Sequence, residues 1–532
     1  MSWIRTANTR PKSGKLVALL AISCLLALPA RLQAEVPSVS TILANYQRAL
    51  ERGGAAEQSR ALETEGTLSG EALSGSFHTW RDEQHDRFDQ QLGVSRERSL
   101  RIADHEYIEN SSGNVRELHG LLLRRSRTQR FVDSGELFKH PEAARFIGEA
   151  RLPDGRTVYQ LEVHAPGGEP ETLAVDKQTW LLDRVEYIEG DGPLTIDFYD
   201  YRVVDGLMIS FRAVESDGDH AFDIAQITTK VRTNRVLPAQ VFAPFPGRYI
   251  ATSTPVTVPL TERGGHFYTS VVIHGHAYSF LIDTGAQSVV LDARVAAELS
   301  IFPEGALEAR GANRTGGLGV GRLDAIHIAD ATLYVGTVSV LDLGGSTRGA
   351  FAIDGILGYP FFAASVVRMD YAGKTMTFAP PGILSPRGKK IPLEVDRALP
   401  EVAARVNSSA EAPFVVDTGN GGELLLFAPF IAAHPGVVPF SENAANGFGI
   451  GGSTQALRTT VDQIDFSGIR LFNRYADVIQ STRGAFADRY DAGNIGLGIL
   501  KNFVVTFDEN ACAMFLEPGP LFDDGRNRHI FR

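Results

Sequence analysis

Two Asp-Thr-Gly tripeptides, Asp283-Thr284-Gly285 and Asp417-Thr418-Gly419, stand 134 residues apart in a chain of 532. Each follows an apolar run (Phe280 to Ile282; Phe414 to Val416) and precedes another (Val289 to Leu291; Leu424 to Phe427). Each Asp is therefore expected to end a buried strand and open a tight turn. One copy alone reads as a turn-capping Asp; two copies at one period invite a chemical reading. If two related lobes bring the turns together, the carboxylates cannot both ionise, and they share one proton. One carboxylate then deprotonates a water while the other, as an acid, protonates a carbonyl oxygen, so an amide is attacked without a covalent intermediate. Thr284 and Thr418 suit hydroxyls that bond to the opposite lobe's backbone. Gly285 and Gly419 let backbone N–H groups approach the carboxylates with no Cβ in the way.

The elements that must position this pair recur with it. Val258-Pro259-Leu260 and Tyr268 to Ile273 precede the first tripeptide; Ile391-Pro392-Leu393 and Val402 to Val406 precede the second. Downstream, Ser346 to Ala352 recurs identically as Ser481 to Ala487, at an offset of 135. Two landmarks agreeing on one period predict a duplicated lobe of about 130 residues. The expected lobes are 255–382 and 386–520, with Asp370 to Phe378 closing the first as a hairpin and Pro380-Pro381 as the linker.

With these motifs in view, residues 255–520 resemble the bilobal aspartic proteases of the retropepsin and pepsin superfamily. They are similar in particular to bacterial exported aspartyl proteases. The resemblance implies catalytic Asp283 and Asp417, with an apolar-apolar-Gly motif under each turn. Ile356-Leu357-Gly358 matches that motif in the first lobe, and Ile495 to Leu500 is the counterpart in the second. It also implies flaps over a bound substrate. Thr315 to Gly321 (with Gly316, Gly317 and Gly319) and Gly447 to Gly452 (with Gly449 and Gly451) fit that role, or are ordinary flexible β-turns. The family commonly has Ser, Thr or Ala after Asp-Thr-Gly: Ala286 conforms and Asn420 departs. Neither Gly-rich segment shows a flap Tyr.

Residues 35–245 read as a short helix, Val39 to Arg52, followed by alternating strands that form a curved antiparallel sheet with a few helices. An insertion helix is expected at Glu142 to Gly148. Pro244, Pro246 and Pro255 mark the boundary with the first lobe. The segments Arg87-Phe88-Asp89, Trp180 to Tyr187 and Tyr199 to Ile209 resemble the open half-barrel of periplasmic carriers of outer-membrane lipoproteins. That resemblance implies a concave face for lipid or extended peptide; a scaffold or docking module is the other reading.

Composition narrows the field. Hydrophobic residues make up 43% and charged residues 22%, which excludes wholesale disorder. The formal charge of -11 argues against nucleic acid as a partner. Two cysteines, Cys24 and Cys512, allow neither a disulfide framework nor a Cys-based zinc site once a leader is removed. Arg5, Arg10, Lys12 and Lys15 precede an apolar run, Leu16 to Leu28, and Leu32-Gln33-Ala34 is a fair cleavage site. Residues 1–34 are thus expected to be a signal peptide, with retention as a membrane or lipid anchor as the alternative. No His-Glu-x-x-His and no Gly-x-Ser-x-Gly is present, and His274 and His276 flank Gly275 in an expected hairpin turn.

The chain is therefore expected to be mainly β, with a duplicated double-lobe barrel domain behind a curved sheet. An exported endopeptidase, periplasmic or secreted, is the leading reading. It would be monomeric, need no cofactor or metal, and act on a peptide or protein. The alternative is a catalytically weak or inactive protease-like protein that binds peptide or lipoprotein clients.

Overall fold

A computed structural model describes residues 36–51, 61–70, 72–310, 315–344, 352–439, 441, 443–449, 452–520 and 522–526. The expected leader, Cys24, Gly451 and nearly all of the first heptapeptide copy lie outside these residues. From Val39 onward the chain forms one compact unit.

The first part is a thirteen-stranded sheet, antiparallel at every step, running from Ala61 to Thr233. Its edges are Val115–Glu117 and Ala144–Arg151, and Ala61–Gly70 pairs with Ile224–Thr233 at the centre. Helix α1 (Val39–Leu50) lays Ile42, Leu43 and Tyr46 onto the sheet residues Leu161, Val163, Leu173 and Val175. This is the amphipathic stripe expected from its spacing. Helices α2 (Gly120–Asp133) and α3 (Glu136–Lys139) complete that layer, with Phe138 edge-on to Tyr46.

The insertion helix expected at Glu142 to Gly148 is not formed. Pro141–Ala143 is a single 3-10 turn, and Ala144–Arg151 is an edge strand paired with Thr157–Val163. Its exposure alternates residue by residue, and a bulge between Phe146 and Gly148 absorbs the irregularity. The short-range pattern was one of period two, which is that of a strand.

Residues 256–518 build two closed barrels and a sheet that joins them. In the first barrel the strands are β1 (His266–Ile273), β2 (His276–Ile282), β3 (Val290–Asp292), β4 (Thr315–Ile328), β5 (Ala331–Leu341) and β6 (Gly355–Leu357). In the second they are β7 (Leu399–Val406), β8 (Ala412–Val416), β9 (Leu424–Leu426), β10 (Gly452–Phe466), β11 (Ile469–Ile479) and β12 (Gly493–Ile495). Both follow one order, β1-β2-β6-β3-β5-β4 and β7-β8-β12-β9-β11-β10. Val272 opposite His327 closes the first, and Ala404 opposite Phe466 closes the second. Closure leaves these six strands of each barrel without a free edge.

A six-stranded sheet takes strands from both lobes, with Val367 opposite Phe507 at the seam. Beneath it Phe361, Phe362, Phe378 and Phe507 pack edge to face at ring separations of 5.3 to 5.5 Å. One buried core runs continuously through both lobes. The thirteen-stranded sheet touches each lobe as well. Ser112 Oγ donates to the Val335 carbonyl at 2.6 Å, and the Gly484 N–H donates to Asp191 Oδ2 at 2.8 Å.

Candidate functional site

Each candidate Asp leaves a strand held on its inner side by a parallel neighbour. Strand β2 pairs in parallel with β6, and β8 with β12, so the chain beyond Ile282 and Val416 emerges beside the last residue of that neighbour. The Asp283 N–H accordingly donates to the Leu357 carbonyl and the Asp417 N–H to that of Ile495, both at 3.0 Å.

The turns then lock together. The Thr284 N–H donates to Thr418 Oγ1 and the Thr418 N–H to Thr284 Oγ1, each at 3.0 Å. In turn Thr284 Oγ1 donates to the Val416 carbonyl at 2.5 Å and Thr418 Oγ1 to the Ile282 carbonyl at 2.9 Å. Both threonines are buried, so each hydroxyl uses its donor and an acceptor lone pair inside the protein.

Between the turns the carboxyl groups of Asp283 and Asp417 are half-buried, each lying against the glycine of the opposite turn. The N–H groups of Gly285 and Gly419 each donate to their own Asp Oδ1 at 2.8 Å. A Cβ on Gly285 would come within 2.7 Å of Asp417 Cγ, and one on Gly419 would collide with the Asp283 carboxyl. Glycine is thus required by close approach of the opposite carboxyl at both positions. Desolvation pushes both carboxyls above the ordinary aspartate range. The effect is larger for Asp283, to which the negative charge of Asp417 adds.

The turns are supported from below. A Cβ on Gly358 would collide with the carbonyls of Ala286 and Ser288, while the Tyr359 N–H donates to the Ala286 carbonyl at 2.8 Å. In the second lobe the Leu497 N–H donates to the Asn420 carbonyl at 2.7 Å. Strand register equates Ile356-Leu357-Gly358 with Asn494-Ile495-Gly496, so the second motif begins one residue before the Ile495 expected from sequence. Asn494 was missed for that reason. Its Nδ2 donates to Asp417 Oδ2 at 2.6 Å.

His266 was also missed. Its Nε2 lies 2.9 Å from the Gly419 carbonyl and its Nδ1 lies 3.0 Å from that of Gly264, which ties the start of β1 to the second turn. By contrast His274 and His276 lie exposed at the β1–β2 turn, where Gly275 takes a φ of +85°. Asn420 donates its own N–H to Asp417 Oδ1 at 3.1 Å, and its side-chain oxygen accepts from the Gly422 N–H.

The Gly-rich segments lie on hairpins. Gly316, Gly317 and Gly319 fall in β4, with Gly316 opposite Ala309 and Gly317 opposite Glu308; Gly449 pairs with Gly452. Gly451 is outside the described residues.

Two clusters of charged groups elsewhere among the described residues are paired within themselves. Glu63, Glu65 and His78 bring ligand atoms within 4.8 Å of one another, but Arg232 sits 3.1 Å from Glu63 and 2.5 Å from Glu65. Beside the site, Arg397 holds Asp488 at 2.6 Å, Asp491 at 2.8 Å, Asp396 at 3.3 Å and Glu401 at 3.6 Å. Its carbonyl accepts from Gln287 Nε2 at 2.5 Å, two residues beyond Gly285. In the first part, the layer of α1, α2 and α3 walls a cavity of about 1110 Å³ against the sheet, lined by Leu62, Phe88, Leu100 and Met208 as well as Arg81 and Arg130.

Residues 269–361 match the aspartyl protease family model, a span that includes the first Asp-Thr-Gly and Ile356-Leu357-Gly358. Three solved structures are similar to part of the chain. A DUF1329 family protein from Desulfovibrio piger shares 14% identity over 39% of this chain and 98% of its own, with a TM-score of 0.29. An outer membrane lipoprotein-sorting protein domain from Vibrio parahaemolyticus shares 12% over 38% and 95%, with a TM-score of 0.27. A LolA superfamily protein from Nitrosomonas europaea shares 11% over 39% and 99%, with a TM-score of 0.28. Comparison with curated proteins gives no match.

Proposed function

We propose that this chain is an aspartic-type endopeptidase that hydrolyses peptide bonds with an activated water. The observation that carries this reading is the pair Asp283 and Asp417. Two half-buried carboxyls meet on turns locked by Thr284 and Thr418. Burial and mutual repulsion keep one proton in the pair, which supplies a base and an acid in the same place. The family match over residues 269–361 supports the same chemistry.

Water held between the carboxyls loses a proton to the ionised one as its oxygen attacks the amide carbon. The protonated carboxyl gives its proton to the carbonyl oxygen. The resulting tetrahedral diol collapses with the C–N bond breaking. The leaving amine takes the proton first removed from water, and a diol hydroxyl returns the other to the pair. We assign the hairpins bearing Gly316, Gly317, Gly319 and Gly449 to substrate cover, and Gly451 in the sequence beside the last to the same role. We read residues 1–34 as an export signal, residues 35–245 as a first domain ahead of lobes 255–382 and 386–520, and the working protein as a monomer outside the cytoplasm. Among the described residues, no helix is long and apolar enough to cross a membrane.

The cavity of the first part favours a second reading, in which the protein holds a peptide or lipoprotein client without cutting it. Digestion of a peptide library by the purified protein, with and without an aspartic-protease inhibitor, separates the two. Saturable, inhibitor-sensitive cleavage supports the first. Client binding with no cleavage from acidic to neutral pH supports the second.

A further inference from the structure

The two lobes give their carboxyls unequal partners. Asp283 accepts from the N–H of Gly285 at 2.8 Å. Asp417 meets the N–H of Gly419 at 2.8 Å, that of Asn420 at 3.1 Å and the side-chain amide of Asn494 at 2.6 Å. Strand register shows where the inequality arises. Leu281 lies opposite Ile356 in the first barrel, and Val415 lies opposite Asn494 in the second. An amide therefore occupies the place that a hydrocarbon fills in the other lobe, and both side chains are buried.

An amide NH₂ can only donate. Aimed at a carboxylate, it favours the ionised form, and burial strengthens the preference because water cannot substitute for it. Resting on the reading of Asp283 and Asp417 as a proton-sharing pair, we propose that Asn494 is a positioning residue that fixes the negative charge on Asp417. Asp417 then removes the proton from water, and Asp283 carries the shared proton to the substrate carbonyl oxygen. In the collapse step the leaving amine takes its proton from Asp417, and Asp283 recovers its own from the diol.

The test is a carboxyl-carbon NMR titration of Asp283→Asn and Asp417→Asn proteins, each with and without Asn494→Ile. The isoleucine copies the residue at the matching place in the first barrel. Asp417 alone should titrate at least about one pH unit below Asp283 alone, a tenfold or greater difference in acidity. Asn494→Ile should raise the Asp417 midpoint by about one unit and leave that of Asp283 in place. With the pair intact, the same substitution should move the acid limb of kcat/KM upward by a similar amount. An Asp283 that titrates below Asp417, or an Asp417 midpoint unmoved by Asn494→Ile, overturns the proposal. If the Asn494→Ile proteins do not fold, the comparison of the two Asp variants still decides. Because titration needs no turnover, the predicted order with no cleavage would refute the peptidase reading and leave the charge assignment standing.

Discussion

Thr284 and Thr418 exchange hydrogen bonds across the lobe boundary, each backbone N–H donating to the other's Oγ1 at 3.0 Å. Neither bond can form within one lobe, so the site exists only while the barrels stay in register. Replacing either threonine by valine leaves a buried N–H without its acceptor, at a cost of about 1–3 kcal/mol. The double variant should cost less than the two single variants added together, because each removes part of the same network. Urea unfolding of the three proteins checks this, and strict additivity would count against a shared lock.

Gly285→Ala and Gly419→Ala introduce a methyl group where the opposite carboxyl lies. A displacement of about 1 Å at a reacting group can cost on the order of a hundredfold in rate. Both variants should lose activity on that scale, with Gly419→Ala the more severe. Steady-state kinetics on one peptide gives the comparison.

Arg397 lies against four buried acidic side chains beside the site, of which Glu401 is pushed up to about 10 by burial and is neutral at pH 7. Arg397→Leu removes the one cation and leaves the acids facing each other, so a loss of about 3–5 kcal/mol is expected. Differential scanning calorimetry at pH 7 would show it as a lowered Tm. An unchanged Tm would mean that the acids are already neutral there.

Stability should fall as pH rises from acid toward neutral. Burial pushes Glu171 and Glu509 up to about 8 and Asp491 up to about 7. In the unfolded chain these groups titrate near 4. Between those limits the folded protein binds more protons than the unfolded one, so their contribution is complete below about pH 4 and is lost as pH passes through about 7 to 8. Urea midpoints at pH 4.5, 6 and 8 should decrease in that order; an increase would contradict the burial assignment.

The site pair was legible from sequence because the chemistry repeats at one period and each copy sits between apolar runs. Asn494 was not, because an amide replaces the apolar residue that defines the motif, and only strand register reveals the equivalence with Ile356. Helix α2 was hidden for a similar reason. It buries Leu121, Arg125, Thr128 and Val132 at helical spacing, but two of the four are polar. Arg125 is paired with Glu189, and Thr128 Oγ1 donates to the Glu169 carbonyl at 2.6 Å. A hydrophobic period cannot report a face whose burial is paid for by ion pairs and hydrogen bonds. The reverse failure is at Glu142 to Gly148, expected as a helix, where exposed and half-exposed positions alternate along an edge strand.

The most direct measurement is parallel digestion of one peptide library by the wild-type protein, Asp283→Asn and Asp417→Asn, with thermal unfolding recorded for all three. Wild-type protein should cleave, both variants should lose at least about a thousandfold in kcat/KM, and the three Tm values should agree within a few degrees. Wild-type turnover in either folded variant would show that the two carboxyls do not act together.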